Sequence, residues 1–266
     1  MRRLVLFLIV FGMATAIAFS QKKETRPVSG FTGIDASSVF NITITKSDRE
    51  SLTIEADNEV MQYVRSEVRD GVLRLYLDNN KNVNNVKILK ASVAMKNLDK
   101  VTLSGACNLT ANDLFTPDKF KAGCSGASNL TVNMTTNQLS IETSGASKIQ
   151  INANVSGDAN FDASGASNIK GKLKANNVSF GSSGSCSVEL TGSATDIKID
   201  ASGTSKLDAL NFVVKTAKIE TSGVCNVTVN VTDALKVNSS GLSSVNYKGS
   251  PSLDVSNSKL SRINKI

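Results

Sequence analysis

Four carboxylates recur at one place in a repeating pattern: Glu142, Asp162, Asp200 and Glu220 each stand three residues before a glycine that follows a serine. Paired carboxylates can cleave glycosidic bonds, one protonating the leaving oxygen and the other attacking the sugar, when they lie about 5 Å apart. Glu142 and Asp162 would reach that spacing if their strands were neighbours in a sheet, where strands lie about 4.8 Å apart. Lys198 and Lys218, however, precede Asp200 and Glu220 by two residues on the same face, the pattern of a solvated ladder of paired charges. Aromatic residues are scarce, so no exposed strip for sugar stacking is expected. The chain has no histidine, which removes His-based triads, the usual general base at neutral pH and the common His metal sites. Its four cysteines show no CxxC spacing, so no zinc cluster is expected. A calcium-binding roll needs aspartate in a GGxGxD repeat, where this chain has Ser, Ala and Asn. The sequence therefore implies neither a metal nor a cofactor.

A second set of side chains suits binding. Asn108, Asn129, Lys148, Asn168, Lys206 and Asn226 each lie three residues after a motif glycine, on the outward side of the alternation. Amide and ammonium groups at such regular spacing form a candidate surface for extended glycans or for another β-edge. They also suit hydrogen-bonded ladders that hold successive strands in register, and both roles can hold together.

The elements that position both sets are set by the Ser-Gly pair itself. It occurs at Ser104, Ser125, Ser144, Ser164, Ser183, Ser202, Ser222 and Ser240, with glycines separated by 21, 19, 20, 19, 19, 20 and 18 residues. Such a period marks a solenoid in which one repeat is one coil. Within a repeat, Leu139, Ile141, Thr143, Gly145, Ser147, Ile149 and Ile151 alternate onto one side, as a strand requires. Four residues after each glycine an aliphatic column runs unbroken from Leu109 to Val245, and four before it another runs from Val101 to Val237. These columns predict two strands per coil facing each other across a thin apolar core. The alternation places the motif glycine and its Ser or Cys partner two residues on at a narrow waist on the core side. Cys107, Cys186 and Cys225 occupy that partner position, and Cys124 lies two before its glycine, so buried free thiols are expected in preference to disulfides. The expected fold is all-β, a right-handed parallel β-helix or β-solenoid with about 20 residues per coil.

The start, Met1-Arg2-Arg3 followed by an apolar run from Leu4 to Phe19, reads as a secretory signal peptide, residues 1–20, cut after Ser20. Residues 21–33 read as a flexible lead-in segment, 34–98 as an irregular β-rich capping portion, 99–246 as the regular solenoid, and 247–266 as a closing coil and tail. In the last, Ser256-Asn257-Ser258 reads as a shortened copy with Asn where Gly stood. Residues 58–70 fit a short helix or a strand, and Asp78–Asn85 a loop. The formal charge of +7 is mild and dispersed, and with few aromatics it gives no footing for nucleic acid. No later run is apolar enough to span a bilayer.

The Ser-Gly-Ala-Ser-Asn-Leu repeat, the Ile34-Asp35-Ala36 to Phe40-Asn41-Ile42-Thr43-Ile44 segment, Asp70-Gly71-Val72-Leu73 and Tyr247-Lys248-Gly249-Ser250-Pro251 carry a resemblance. Over about residues 30 to 262 the chain resembles the auto-transporter adhesin, head GIN domain family of bacterial exported proteins. The resemblance implies a β-solenoid and an adhesin-like role. The reading is an exported, non-enzymatic binding or scaffold module of the cell envelope, in the periplasm, at the surface or secreted. Glycans or other envelope proteins are its expected partners, and oligomers are compatible with it. One alternative is a polysaccharide-active enzyme using Glu142 and Asp162; another is a purely structural envelope protein.

Overall fold

The computed structural model describes residues 21–78 and 86–266; the expected signal peptide and all but Asp78 of the expected asparagine-rich loop lie outside the described residues. The described residues are 67% strand and 2% helix and wind as a β-solenoid of about 9 turns, ~19 residues each. In each coil an incoming strand runs to the Ser-Gly corner and an outgoing strand leaves it. Gln138–Thr143 and Lys148–Val155 are such a pair, and burial alternates along both. The incoming strands Lys119–Cys124, Gln138–Thr143, Asp158–Ala163 and Asn177–Ser182 stack in parallel, residue for residue. The outgoing strands Asn108–Phe115, Asn129–Thr136, Lys148–Val155 and Asn168–Lys174 also stack in parallel on the other face, with one register shift, at Val132 and Asn133, against the first of them. From Ser187 onward, Ser187–Ala201, Lys206–Thr221 and Asn226–Ser239 each carry the chain from one outgoing strand into the next incoming one without a break.

The core lies between the two sheets. The columns four before and four after the corner glycines are buried from Val101 to Val237 and from Leu109 to Val245. Phe161 and Phe180 sit on adjacent coils with ring centroids 5.8 Å apart and stack along the solenoid axis. At roughly 1.5–3 kcal/mol per buried aliphatic side chain, the stabilisation is spread over the coils.

At the corner one expectation changes. The Ser or Cys two residues after glycine points inward, but the glycine does not: Gly145 is exposed while Ser147 and Thr143 are buried. The motif is a tight turn joining the two sheets, and the narrow waist is formed by the flanking inward residues. Gly145 has φ +70°, a conformation that costs a side-chain-bearing residue. A Cβ there would also stand 2.5 Å from the carbonyl oxygen of Gly126 on the preceding coil. Through that contact the corners stack: the Ala146 N–H donates to Gly126 O and the Ala166 N–H to Gly145 O, both at 2.7 Å. Inside each corner, Ser128, Ser147, Ser167, Ser205 and Ser243 donate their hydroxyls to the carbonyl three residues back, at 2.8 to 3.0 Å. Cys186 and Cys225 make the same contact through Sγ at 3.3 Å. All four cysteines are buried and free.

The segment Gly33–Lys46 is itself a coil. Gly33–Ala36 and Asn41–Lys46 stack on Lys100–Leu103 and Asn108–Phe115, and Ser38 adopts the corner conformation with φ 78°. Beyond it the sheets extend through Val72–Leu77 and Leu89–Met95, and then antiparallel strands close this end: Ser51–Asp57 on Leu89–Met95, and Val64–Arg69 on Val72–Leu77. Residues 58–70 divide between a helix, Asn58–Met61, and the strand Val64–Arg69. Gln21–Arg26, expected as flexible, forms an antiparallel strand along Ser51–Asp57. Its polar composition is that of an edge strand, and Arg26 anchors it by donating to Val64 O and Ser66 Oγ. At the other end Asn257 pairs with Ser239 and the Ser258 N–H donates to Ser239 O. Lys259, and not Asn257, therefore falls in the glycine column, and this last corner closes by a different turn, with the Ser261 N–H donating to Ser258 O.

Candidate functional site: a polar ladder on the outgoing sheet

Because the outgoing strands stack in register, one outward position per coil lines up along the solenoid. Asn108, Asn129, Lys148, Asn168, Ser187, Lys206 and Asn226 are successive partners in that column. The structure thus brings all six expected surface residues together. Asn129 donates to the Asn108 carbonyl oxygen at 2.6 Å, and Asn108 donates to that of Asn41 at 2.8 Å. Asn41 extends the ladder by one coil, and its signal in the sequence is its place three residues after Ser38, the first corner. Lys148 ends this run of amides. Among the described residues neither Lys148 nor Lys206 makes an ion pair, and the Asn168 amide oxygen is shielded without a partner.

Beside the ladder the sheet has a depression of about 270 Å³. Thr131, Gln150, Lys170 and Glu189 form one wall and Asn133, Asn152, Lys172 and Thr191 the other, over a floor that includes Gly171. Lys170 and Glu189 bridge at 2.8 Å across two coils. These lateral neighbours were not singled out by the repeat pattern, since no motif residue marks them. The chemistry offered is multidentate hydrogen bonding with a few cations, suited to a long polar ligand lying along the axis.

The carboxylates occupy the opposite sheet. Glu142 and Asp162 are direct partners on adjacent incoming strands, flanked by Gly123 and Gly181 in the same column. The missing side chains open a trough of about 660 Å³ beside the corner serines. Glu142 is exposed and paired with Lys121 at 2.6 Å. Lys198 and Asp200, and Lys218 and Glu220, bridge at 2.7 Å as the spacing implies, and Asp200 raises the pKa of Lys198 by its hydrogen bond and charge.

The family model described as "Putative auto-transporter adhesin, head GIN domain" matches residues 30–157 and again 154–251. This chain belongs to that family. Solved structures repeat the solenoid of this head GIN domain protein. A "putative adhesin" from Parabacteroides merdae superposes with a TM-score of 0.69 at 20% identity, over 92% of this chain and 96% of the other. A "putative lipid binding protein" from Parabacteroides distasonis gives 0.68 at 19%, with the same coverage. A second P. distasonis protein, also named a "putative adhesin", gives 0.60 at 20% over 94% and 98%. No curated protein matches the chain.

Proposed function

We propose that the chain is an exported, non-enzymatic, adhesin-like module that holds an extended polar ligand, a glycan strand, along the outgoing sheet. The observation that carries this reading is the straight column from Asn108 to Asn226, which repeats a polar group at strand spacing over seven coils. A linear polymer meets such a column with many weak contacts in one register, and their sum gives avidity that no single group supplies. Membership of the head GIN domain family supports the adhesin-like role and export. Among the described residues no helix is long and apolar enough to cross a membrane.

Glycan-array binding tests the reading. Replacing Lys148 and Lys206 by Ala removes two charge-assisted contacts and should weaken the best binding glycan by roughly tenfold or more. Binding that is unchanged in this double variant would overturn the assignment of the surface. The trough at Glu142 and Asp162 favours a second reading, hydrolysis of a polysaccharide. Cleavage of an arrayed glycan that Glu142→Gln abolishes would establish it, and binding without turnover would remove it.

A further inference from the structure

The two ends of the solenoid differ in chemistry. At the end nearer Gln21, antiparallel strands close the sheets, and the outermost ones, Gln21–Arg26 and Val64–Arg69, carry charges of both signs. Among the described residues no such closure covers the end formed by the strands Ser252–Asn257 and Arg262–Lys265. Leu253 and Val255 continue the inward columns of Leu235 and Val237, yet they are 49% and 41% exposed. Along the corner edge the position after the glycine column is Val39, 39% exposed, in the first coil, then Ala in four coils, Ser185 and Thr204 in the next two, and Val224, Leu242 and Leu260 in the last three, with Leu242 62% and Leu260 65% exposed. Of the ten large exposed apolar side chains among the described residues, six lie at or beyond Val224.

The charge around this apolar tip has one sign. From Leu242 to Lys265 the cations are Lys248, Lys259, Arg262 and Lys265, and the single acid, Asp254, is held by Lys236 at 2.7 Å. A second copy of the same tip would bring its four cations against these four, so charge opposes end-to-end pairing. An anionic surface with an apolar interior complements both features: side chains of Leu reach below the headgroups while Lys and Arg meet the phosphates. The unpaired backbone groups of the last strands stay at headgroup depth, where water and phosphate oxygens satisfy them.

We propose that this tip is a docking surface for an anionic lipid bilayer, so that the solenoid stands on a membrane by one end and presents its polar ladder along its length. The chain beginning at Gln21, which holds every described strand, should co-sediment with phosphatidylglycerol vesicles and not with phosphatidylcholine vesicles. Replacing Lys259 and Arg262 by Gln should weaken partitioning about 25-fold, since each interfacial cation contributes about a fivefold factor. Leu242→Ser with Leu260→Ser should weaken it by at least about tenfold. All four side chains are exposed, and unchanged thermal melting in each variant would show that the fold is intact. Equal sedimentation with both vesicle types, or full binding in both variants, would overturn the proposal. So would a dimer in solution that Leu260→Ser dissolves, because the tip would then belong to a second copy.

Discussion

At the scale of single residues, the inward position of each corner shows why serine and cysteine alternate there. Both are small, both fit between the sheets, and both donate to the carbonyl three residues back. Ser147→Ala should cost about 1–2 kcal/mol, because the Ser144 carbonyl loses its buried donor. Ser147→Cys should lose less, since the thiol keeps a weaker version of the bond. Urea unfolding of the two variants checks this, and equal losses would assign the effect to packing instead. The thiols also give the fold an alkaline limit. Burial pushes Cys124 up to about 12, with the nearby Cys107 adding to it, and burial raises Cys107 and Cys186 as well. In the unfolded chain a thiol ionises near about 8.5. Above that pH the unfolded state releases protons that the folded state keeps, so the stability present below it is lost as pH rises toward 12. The slope is up to about 1.4 kcal/mol per pH unit for each thiol. Cys124→Ala should flatten that decline in urea melts taken between pH 8 and 11, and an unaltered slope would rule out Cys124 as its source.

At the scale of the element, the corner is the part most sensitive to substitution. Gly165 has φ +74°, and a Cβ there would lie 2.6 Å from the Gly145 carbonyl oxygen. The left-handed conformation alone costs a non-glycine residue about 1–2 kcal/mol, and the stacked backbone leaves the Cβ no room. Gly165→Ala should therefore lower stability by about 3 kcal/mol or more. Gly123 is the internal control: it lies on an incoming strand with nothing within 4 Å of an added Cβ, so Gly123→Ala should leave the melting temperature nearly unchanged. Similar melting temperatures for the two variants would contradict the stacked-corner account. The same geometry explains what the sequence could reveal. From Thr143 to Ser147 is four residues, an even number, so alternation counted straight through the corner still assigns every strand residue to its correct side. The apolar columns, the outward amides and the Glu142–Asp162 pairing were legible for that reason. Gly145 itself was misplaced, because parity cannot distinguish a straight strand from a turn. Gln21–Arg26 escaped notice because its partner, Ser51–Asp57, is distant in sequence and its own residues carry no apolar alternation. The depression beside the ladder depends on lateral neighbours from four coils, which no single repeat encodes.

At the scale of the whole molecule, each coil contacts chiefly the coils on either side of it, so stability is a sum over neighbours and the two ends need not be equal. The end near Gln21 is closed by strands distant in sequence, and Arg26 anchors its own strand there by contacts to Met61, Val64 and Ser66. The other end has half-open inward columns at Leu253 and Val255 and a four-residue last strand, Arg262–Lys265. Opening should begin there and move inward, since each coil released exposes the next one's core face while breaking only one interface. Amide hydrogen exchange reads this directly, because protection reports the free energy of the opening that frees each N–H. The amides of Arg262–Lys265 and Ser252–Asn257 should exchange first, those of Asn226–Ser239 next, and those of Asp158–Ala163 and Asn177–Ser182 only on global unfolding. Uniform protection from Asp158 to Lys265 would show one cooperative unit in place of an array of coils. Anionic vesicles supply the internal check: occupation of the tip should raise protection in the last two strands and leave the central coils as they were.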